Sequence, residues 1–427
     1  MTDTRTFVIV GGGLAGAKAA ETLRTEGFDG RVVLFEADAE RPYERPPLSK
    51  DLLLGKSERE KAFVHPSNWY GENNVDLRTE QEVTGIDPAA HEVELSDGGR
   101  LTYDKLLLAT GSSPRTLDVP GADRLDGVLY LRKLRDSDRI AAALKPGTNI
   151  VIIGAGWIGL EIAAAARHHG ANVTVVEALR LPLHRVLGDE VARIFANLHT
   201  ANGVVFHFGA QVRELTGTDR VTSVVLADGT ELPADAVVIG VGIRPNVELA
   251  ERAGLEVDNG VVTDAALRTS NADIHAAGDV ASAFHPLLGQ RVRVEHWSAA
   301  LNGGPAAARS MLGQDVSYEK VPYFFTDQYD TSPGMTGIGM EYSGYVEPGG
   351  YDQVVFRGDP EIKAGSSPEF VAFWVKDGRV LAGMNVNVWD VQDDIVALVK
   401  AGYAGKAVDL EKLADPGVPL KEVVPQA

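Results

Sequence analysis

The stretch Phe7–Gly16 reads FVIVGGGLAG, an apolar run leading into glycines 11, 13 and 16 at the spacing Gly-x-Gly-x-x-Gly. In a dinucleotide-binding unit, one such glycine makes the tight turn, one lets the backbone approach a pyrophosphate, and one lets helix and strand pack closely. Residues 17–26 then predict a helix, and a second apolar run, Val32–Phe35, ends in Glu36. The stretch therefore predicts a strand–turn–helix–strand unit whose helix N-terminus receives the phosphates of a dinucleotide.

The same unit recurs 143 residues later. Ile150–Gly159 reads IVIIGAGWIG, an alanine-rich helix continues to about Arg167, and the strand Val173–Val176 ends in Glu177. One glycine motif alone is weak evidence, but two copies in the same context indicate two homologous nucleotide-binding domains. Each copy is also followed by an Asp-Gly hairpin and a further apolar strand: Leu95–Leu101 with Leu106–Leu108, and Leu226–Leu232 with Val237–Ile239.

The sequence changes character after residue 320. Three runs predict strands, Val354–Phe356, Phe370–Val375 and Val380–Val388, and residues 391–403 predict a helix. An antiparallel sheet with a helix is typical of an α+β domain. The predicted fold class is therefore α/β, with two Rossmann-like dinucleotide-binding domains and a C-terminal α+β domain.

Composition excludes several classes of function. The 427 residues carry 41 Lys and Arg against 60 Asp and Glu, a net charge of −19 that repels nucleic acid and anionic membranes. No apolar run approaches the roughly 20 residues that span a bilayer, so we expect no membrane partner and a cytoplasmic location. The absence of cysteine excludes a disulfide framework, a thiolate metal site and a redox dithiol, so redox chemistry requires a bound cofactor. The ten histidines lack ligand spacing, and no metal site is predicted.

Two dinucleotide folds and a C-terminal α+β domain resemble the flavoprotein pyridine-nucleotide oxidoreductases, and four segments resemble, within that group, the ferredoxin reductases that serve oxygenases. They are Arg45–Lys50 (RPPLSK), Ala276–Asp279 (AAGD), Val294–Trp297 (VEHW) and Tyr323–Tyr329 (YFFTDQY). The resemblance covers essentially the whole chain and implies a glutathione reductase-like architecture. The domains it implies are a discontinuous FAD domain of residues 1–112 and 244–320, an NAD domain of residues 113–243 and a C-terminal reductase domain of residues 321–427.

The resemblance assigns FAD to the first nucleotide site. It puts Arg45 and Arg132 near the phosphates, Val83 against the adenine and Asp279 on the ribityl chain, and it directs a helix capped by Ser298 at the flavin. The residues implied to bind FAD are Gly11, Gly13, Leu14, Ala15, Gly16, Glu36, Arg45, Lys50, Val83, Ala109, Thr110, Gly111, Arg132, Gly278, Asp279, Glu295, His296 and Trp297.

The resemblance assigns the nicotinamide dinucleotide to the second site. Lys50 and Glu161 are the implied catalytic residues: Lys50 lies at the flavin N5 edge, and Glu161 pairs with it and meets the nicotinamide amide. The Glu177 carboxylate binds a ribose 2′-hydroxyl and repels a 2′-phosphate, favouring NADH over NADPH, although Arg180 is placed to meet a phosphate. The residues implied to bind NAD are Gly154, Gly156, Trp157, Ile158, Gly159, Glu161, Glu177, Arg185 and Gly242.

The implied reaction passes hydride from NADH to FAD and then single electrons to a [2Fe-2S] ferredoxin that serves a cytochrome P450 or Rieske oxygenase. The enzyme is expected to be a monomer or weak dimer. Because ferredoxins are typically acidic, a protein of charge −19 needs a local basic patch, for which Arg291, Arg293 and Arg309 are candidates.

Three features depart from the family pattern. Phe325 stands where several relatives have tryptophan, Trp157 stands where relatives often have tyrosine or a smaller residue, and Thr331–Ile338 is an extra loop before the segment Gly339–Tyr342. A disulfide reductase is excluded by the lack of cysteine. An NADH-sensing flavoprotein related to apoptosis-inducing factor and a rubredoxin reductase are the alternatives.

Overall fold

A computed structural model describes residues 3–329, 334–363 and 366–425. The chain divides into two compact units: Met1–Arg45, Arg59–Ser113 and Arg244–Pro322 form the first, and Pro46–Glu58, Pro114–Ile243 and Tyr323–Ala427 form the second. The predicted boundaries of the three domains stay a prediction. Over the part of the chain that is described, none of the helices is both long and apolar enough to cross a lipid bilayer.

Strands and helices are interspersed along the chain. The strands are β1 (Thr6–Val10), β2 (Arg31–Phe35), β3 (Val75–Arg78), β4 (Val83–Asp87), β5 (Glu92–Leu95), β6 (Arg100–Thr102), β7 (Lys105–Leu108), β8 (Ser112–Pro114), β9 (Val128–Leu129), β10 (Asn149–Ile153), β11 (Asn172–Glu177), β12 (Val204–Phe208), β13 (Val212–Gly217), β14 (Val221–Leu226), β15 (Glu231–Pro233), β16 (Ala236–Ile239), β17 (Ile243–Pro245), β18 (Val261–Thr263), β19 (Ile274–Ala276), β20 (Ala281–His285), β21 (Gln290–Val292), β22 (Tyr323–Gln328), β23 (Ile338–Gly344), β24 (Gln353–Asp359), β25 (Glu369–Lys376) and β26 (Arg379–Val386). The α-helices are α1 (Leu14–Thr25), α2 (Trp69–Glu72), α3 (Leu134–Ala143), α4 (Trp157–His168), α5 (His184–Ala201), α6 (Glu248–Arg252), α7 (Trp297–Met311), α8 (Gln392–Tyr403), α9 (Leu410–Ala414) and α10 (Leu420–Val423).

A parallel sheet in the order β19-β7-β1-β2-β3 forms the centre of the first unit. The central strand β1 pairs with β2 on one side and β7 on the other, so that Val8 lies opposite both Val33 and Leu106. Phe7, Val8 and Ile9 are all fully buried, because a strand covered on both faces carries a continuous apolar run rather than an alternating one.

The second unit repeats this arrangement. Its parallel sheet has the order β12-β11-β10-β16-β9, and Val151 on the central strand β10 lies opposite Thr174 and Val237. In both units the strand before the glycines is central, and the helix after them follows directly. The predicted repeat of two Rossmann-like domains is therefore confirmed.

An antiparallel sheet in the order β22-β23-β26-β25-β24 completes the second unit, with α8 packed on β26. The fully buried indole of Trp374 donates from Nε1 to the Leu187 carbonyl oxygen at 3.0 Å. Trp374 and Phe324 belong to the same buried apolar cluster as Ile152 and Phe195 of the nucleotide-binding region. The C-terminal α+β part, whose predicted fold class is confirmed, therefore shares a core with the parallel sheet beside it.

Two helix predictions differ from the structure. Helix α1 begins at Leu14 rather than at residue 17, and α7 begins at Trp297 with His296 as its N-cap, so Ser298 lies inside the first turn instead of capping it. The glycines and proline of Asn302–Pro305 predict an interruption of this helix, but α7 continues through them. Packing on α1 explains this continuity, since a Cβ on Gly304 would lie 2.2 Å from the Ala15 carbonyl oxygen.

The extra loop is only partly described, because Thr331, Ser332 and Pro333 lie outside the described residues. The part that follows is anchored to the end of α5. The Thr336 backbone N–H donates to Oδ1 of Asn202 at 3.0 Å, and Nδ2 of Asn202 donates to the Thr336 carbonyl oxygen at 2.9 Å.

Candidate functional site

The two glycine turns have matching geometry. Gly11 and Gly154 have positive φ angles of 112° and 103°, and a Cβ on either would lie 2.2 or 2.3 Å from a carbonyl oxygen of the neighbouring strand end. A Cβ on Gly16 or Gly159 would lie 2.1 or 2.2 Å from the carbonyl oxygen of the first glycine of the same turn. Any side chain at these four positions would force the helix away from its strand.

An acidic residue lies beside each turn. Glu36 accepts a hydrogen bond from the Gly12 backbone N–H at 2.8 Å, and Glu177 accepts one from the Ala155 N–H at 2.7 Å. The second oxygen of Glu177 accepts from the Leu179 N–H at 2.8 Å. Each carboxylate is therefore held at the end of its strand with lone pairs left for a further donor.

These turns fit a dinucleotide. Gly13 and Gly156 are the N-caps of α1 and α4, neither has a side-chain cap, and within the described residues no atom lies within 4 Å of where a Cβ would stand. Each turn therefore leaves an open approach to the N–H groups of a helix of 12 residues, which favour a phosphate. Leu14, Ala15 and Ile158 of the predicted set lie in these first turns.

Two residues predicted for FAD in the first unit form side-chain hydrogen bonds with residues distant in the chain. The Asp279 carboxylate accepts from Ser112 Oγ at 2.8 Å, and Trp297 Nε1 donates to Glu44 at 2.8 Å. The sequence predicts neither Ser112 nor Glu44 as a partner, because each is distant in the chain from the residue that it contacts. Burial lowers the pKa of His296, the N-cap of α7, to about 4, so this imidazole is neutral at pH 7.

Other predicted FAD residues lie at strand ends or in turns. Thr110 exchanges two hydrogen bonds with Asn246, both of 2.8 Å. The Arg45 guanidinium lies 5.8 Å from the Tyr43 ring centroid, and Glu295 pairs with Arg293. Val83 and Ala109 are buried. Gly111 and Gly278 have positive φ angles of 67° and 78°. Lys50 and Arg132 belong to the second unit.

Lys50 and Glu161 form a buried ion pair in the second unit. Lys50 Nζ lies 2.8 Å from Glu161 Oε1, with side chains only 12% and 4% exposed. Glu161 also accepts from the hydroxyls of Ser49 and Thr326, the latter at 2.6 Å. Lys50 Nζ lies 5.2 Å from the Phe325 ring centroid, a cation–π distance. The predicted pairing is present, and Ser49, Thr326 and Phe325 complete it.

The other residues predicted for NAD lie around the second glycine turn. The Trp157 ring packs between Phe195 and Phe324, with centroid distances of 5.4 and 5.0 Å. Arg180 forms an ion pair with Asp189, with 2.5 Å between its guanidinium and the carboxylate. Arg185 is exposed on α5, and Gly242 has a φ angle of 107° and accepts from the Arg115 N–H.

Two of the three arginines of the predicted basic patch are paired with carboxylates, and the patch itself stays a prediction. The Arg293 side chain is only 10% exposed and pairs with Glu295, and Arg309 pairs with Glu26 at 2.8 Å. Each of these two guanidinium groups therefore has a carboxylate beside it.

The chain belongs to the pyridine nucleotide-disulphide oxidoreductase family, whose model matches residues 5–304, and a Reductase C-terminal model matches residues 323–424. Within that family it is similar to ferredoxin reductases. It is 40% identical over 419 residues to the ferredoxin–NAD(+) reductase component of the anthranilate 1,2-dioxygenase system of Burkholderia cepacia, covering 97% of this chain and 98% of that protein.

Two other relatives extend this comparison. The crystal structure of the covalent putidaredoxin reductase–putidaredoxin complex matches with a TM-score of 0.91 and 36% identity, over 99% of both chains. Apoptosis-inducing factor 3 of Homo sapiens is 33% identical over 416 residues, covering 96% of this chain and 65% of that protein.

Proposed function

We propose that this chain is an FAD-dependent ferredoxin reductase that oxidises NADH in preference to NADPH and supplies electrons to an oxygenase system. The observation that carries the proposal is the pair of matching glycine turns, each with an anchored carboxylate, followed by a buried lysine–glutamate pair in the second unit. The relatives named as ferredoxin reductases support the direction of electron flow.

FAD, when bound, takes a hydride from a nicotinamide and releases its electrons singly to a one-electron acceptor. In the proposed arrangement the first turn and Glu36 hold the adenosine diphosphate half of FAD, and Asp279 accepts from its ribityl chain. Lys50 then supplies a fixed positive charge that favours an electron-rich flavin ring. Glu161 holds the Lys50 ammonium and presents an acceptor to the nicotinamide amide.

The preference for NADH rests on Glu177. Its carboxylate is anchored by two backbone N–H groups, so it cannot turn away from an incoming 2′-phosphate without breaking them. Arg180, whose guanidinium would bind that phosphate, is paired with Asp189. A ribose with a free 2′-hydroxyl is therefore the better ligand.

Replacing Glu177 tests this preference. We expect Glu177→Ala to raise the KM for NADH about tenfold, the size expected from losing one hydrogen bond to a charged group. Glu177→Gln removes the charge that repels a 2′-phosphate but can accept from only one of the two backbone N–H groups, so the ratio of NADPH to NADH activity should rise. Steady-state kinetics with both nucleotides measure the two effects, and Glu190→Ala, at an exposed position, controls for the change in net charge. Unchanged ratios of NADH to NADPH activity in both Glu177 variants would contradict the assignment.

The electron acceptor is proposed to be a [2Fe-2S] ferredoxin that serves a cytochrome P450 or a Rieske oxygenase. Anaerobic stopped-flow mixing of the NADH-reduced, FAD-loaded protein with purified ferredoxins tests this directly. Rapid reduction of a [2Fe-2S] ferredoxin supports the proposal. Slow flavin reduction followed by a long-lived complex and no transfer to any carrier would instead support the NADH-sensing alternative, and transfer only to rubredoxin would support a rubredoxin reductase. A cytoplasmic location and a monomeric or weakly dimeric state stay predictions from the sequence.

A further inference from the structure

A line of buried hydrogen bonds leads away from Glu161 through β22 to α5. Thr326 Oγ1 contacts Glu161 at 2.6 Å, Gln328 Nε2 contacts Thr326 Oγ1 at 3.3 Å, and His199 Nε2 contacts Gln328 Oε1 at 2.8 Å. The line ends at Tyr329, whose hydroxyl lies 2.7 Å from His199 Nδ1. Its four members beyond Glu161 are between 0% and 4% exposed, so water does not supply their partners.

The ion pair at one end fixes the direction of every hydrogen bond in the line. Glu161 faces Lys50 as a carboxylate and can only accept, so the Thr326 hydroxyl donates to it. The Thr326 oxygen is then an acceptor, which turns the Gln328 amide so that its nitrogen faces Thr326 and its oxygen faces His199. Nε2 of His199 must therefore carry the proton.

The imidazole completes the sequence. Burial lowers the pKa of His199 to about 4, so the ring is neutral and its Nδ1 is an acceptor for the Tyr329 hydroxyl. Each member of the line thus donates toward Glu161, and none can reverse without leaving a buried polar group unpaired. Such a reversal is costly, because an unsatisfied polar group in the interior has no water to compensate it.

We propose that Thr326, Gln328 and His199 are positioning residues, whose one-directional hydrogen bonds hold the Glu161 carboxylate in the orientation that places Lys50 for reduction of the flavin by NADH. The inference rests on the proposed role of Glu161 and extends it to residues from β22 and α5. Histidine serves in the middle because a neutral imidazole both donates and accepts, whereas lysine or arginine would add an unpaired buried charge.

Rapid-reaction kinetics of the FAD-loaded protein test this inference. Thr326→Val keeps the shape but removes the donor, and we expect the rate of flavin reduction at saturating NADH to fall about tenfold, as for one lost hydrogen bond to a charged group. Thr326→Ser keeps the donor and should stay within about twofold of the wild type on the same reasoning. His199→Phe, two bonds further away, should give a smaller loss of roughly threefold.

Matched control variants, and the same substitutions made in a Glu161→Gln background, distinguish a loss of positioning from a general loss of structure. Thr263→Val, at a buried hydroxyl of the first unit, and His207→Phe, on β12 outside the line, should leave the reduction rate unchanged. In a Glu161→Gln background, the Thr326→Val and His199→Phe substitutions should have no further effect, because they act through the carboxylate.

The outcomes distinguish the inference from the function on which it rests. A slow Glu161→Gln enzyme with a wild-type rate in Thr326→Val would overturn the inference and leave the role of Glu161 intact. Equal losses from Thr326→Val in both backgrounds would also overturn it, since the line would then act elsewhere. A wild-type rate in Glu161→Gln would remove the proposed role of Glu161 itself, and the inference with it. If His199→Phe fails to fold, the reduction rate of Thr326→Val still tests the inference.

Discussion

Replacing Lys50 by methionine is expected to slow the reduction of FAD by NADH roughly a hundredfold, the scale of removing one preorganised charge from an active site. The same change leaves the buried Glu161 without its cation, which should lower the free energy of unfolding by about 3 kcal/mol. Stopped-flow reduction and chemical denaturation of the FAD-loaded protein measure the two effects separately.

The double variant Lys50→Met/Glu161→Gln separates stability from chemistry. Its neutral amide still has hydrogen-bond partners in Ser49 and Thr326, so stability should return while the reduction rate stays low. A Lys50→Met enzyme that is destabilised but reduced at the wild-type rate would show that the pair is structural and that another group controls the flavin.

The second large effect is expected at Gly304, where α7 crosses α1. A methyl group there would lie 2.2 Å from the Ala15 carbonyl oxygen, and backbone cannot yield as a side-chain end can. Gly304→Ala should therefore lower the free energy of unfolding by about 3 kcal/mol through overpacking. Because Ala15 lies in the first turn of α1, displacement of that helix should also weaken the binding of FAD.

The adjacent glycine is the control for this prediction. A Cβ on Gly303 would have its nearest neighbour, the Gly278 nitrogen, at 3.6 Å, an ordinary contact. Gly303→Ala should fold normally and gain up to ~1 kcal/mol from its helix propensity. Thermal unfolding and fluorescence of released FAD compare the two variants, and equal behaviour would refute the packing argument.

Local signals predicted the repeated nucleotide-binding units well, because each central strand is a continuous apolar run ending at glycines. They failed where packing opposes propensity. Gly303, Gly304 and Pro305 favour a break in a helix. Helix α7 nevertheless continues through them, and the lack of a Cβ on Gly304 allows the helix to pack closely on Ala15. Likewise, α1 begins at Leu14 because Gly13 is its N-cap, and the glycine at position 16 obscured this first turn.

The candidate site was predictable only in part. Resemblance was enough to pair Lys50 with Glu161, but no local pattern links Glu161 to Thr326, 165 positions later in the chain. His199 carried no signal either, because a buried histidine satisfied by an amide and a hydroxyl looks like any histidine on a helix. The strand sequence YFFTDQ does not alternate between apolar and polar residues, so the burial of Thr326 and Gln328 on the same side of β22 became visible only in the structure.

The shared core of the second unit limits where this chain could be joined to part of a relative. One family model ends at residue 304 and the other begins at residue 323, so the segment between them is where a C-terminal part could be exchanged with a relative. Thr326 and Trp374, however, bond to Glu161 and Leu187 of the other part. A chimera joined within that segment must therefore keep both contacts to preserve the core of the second unit.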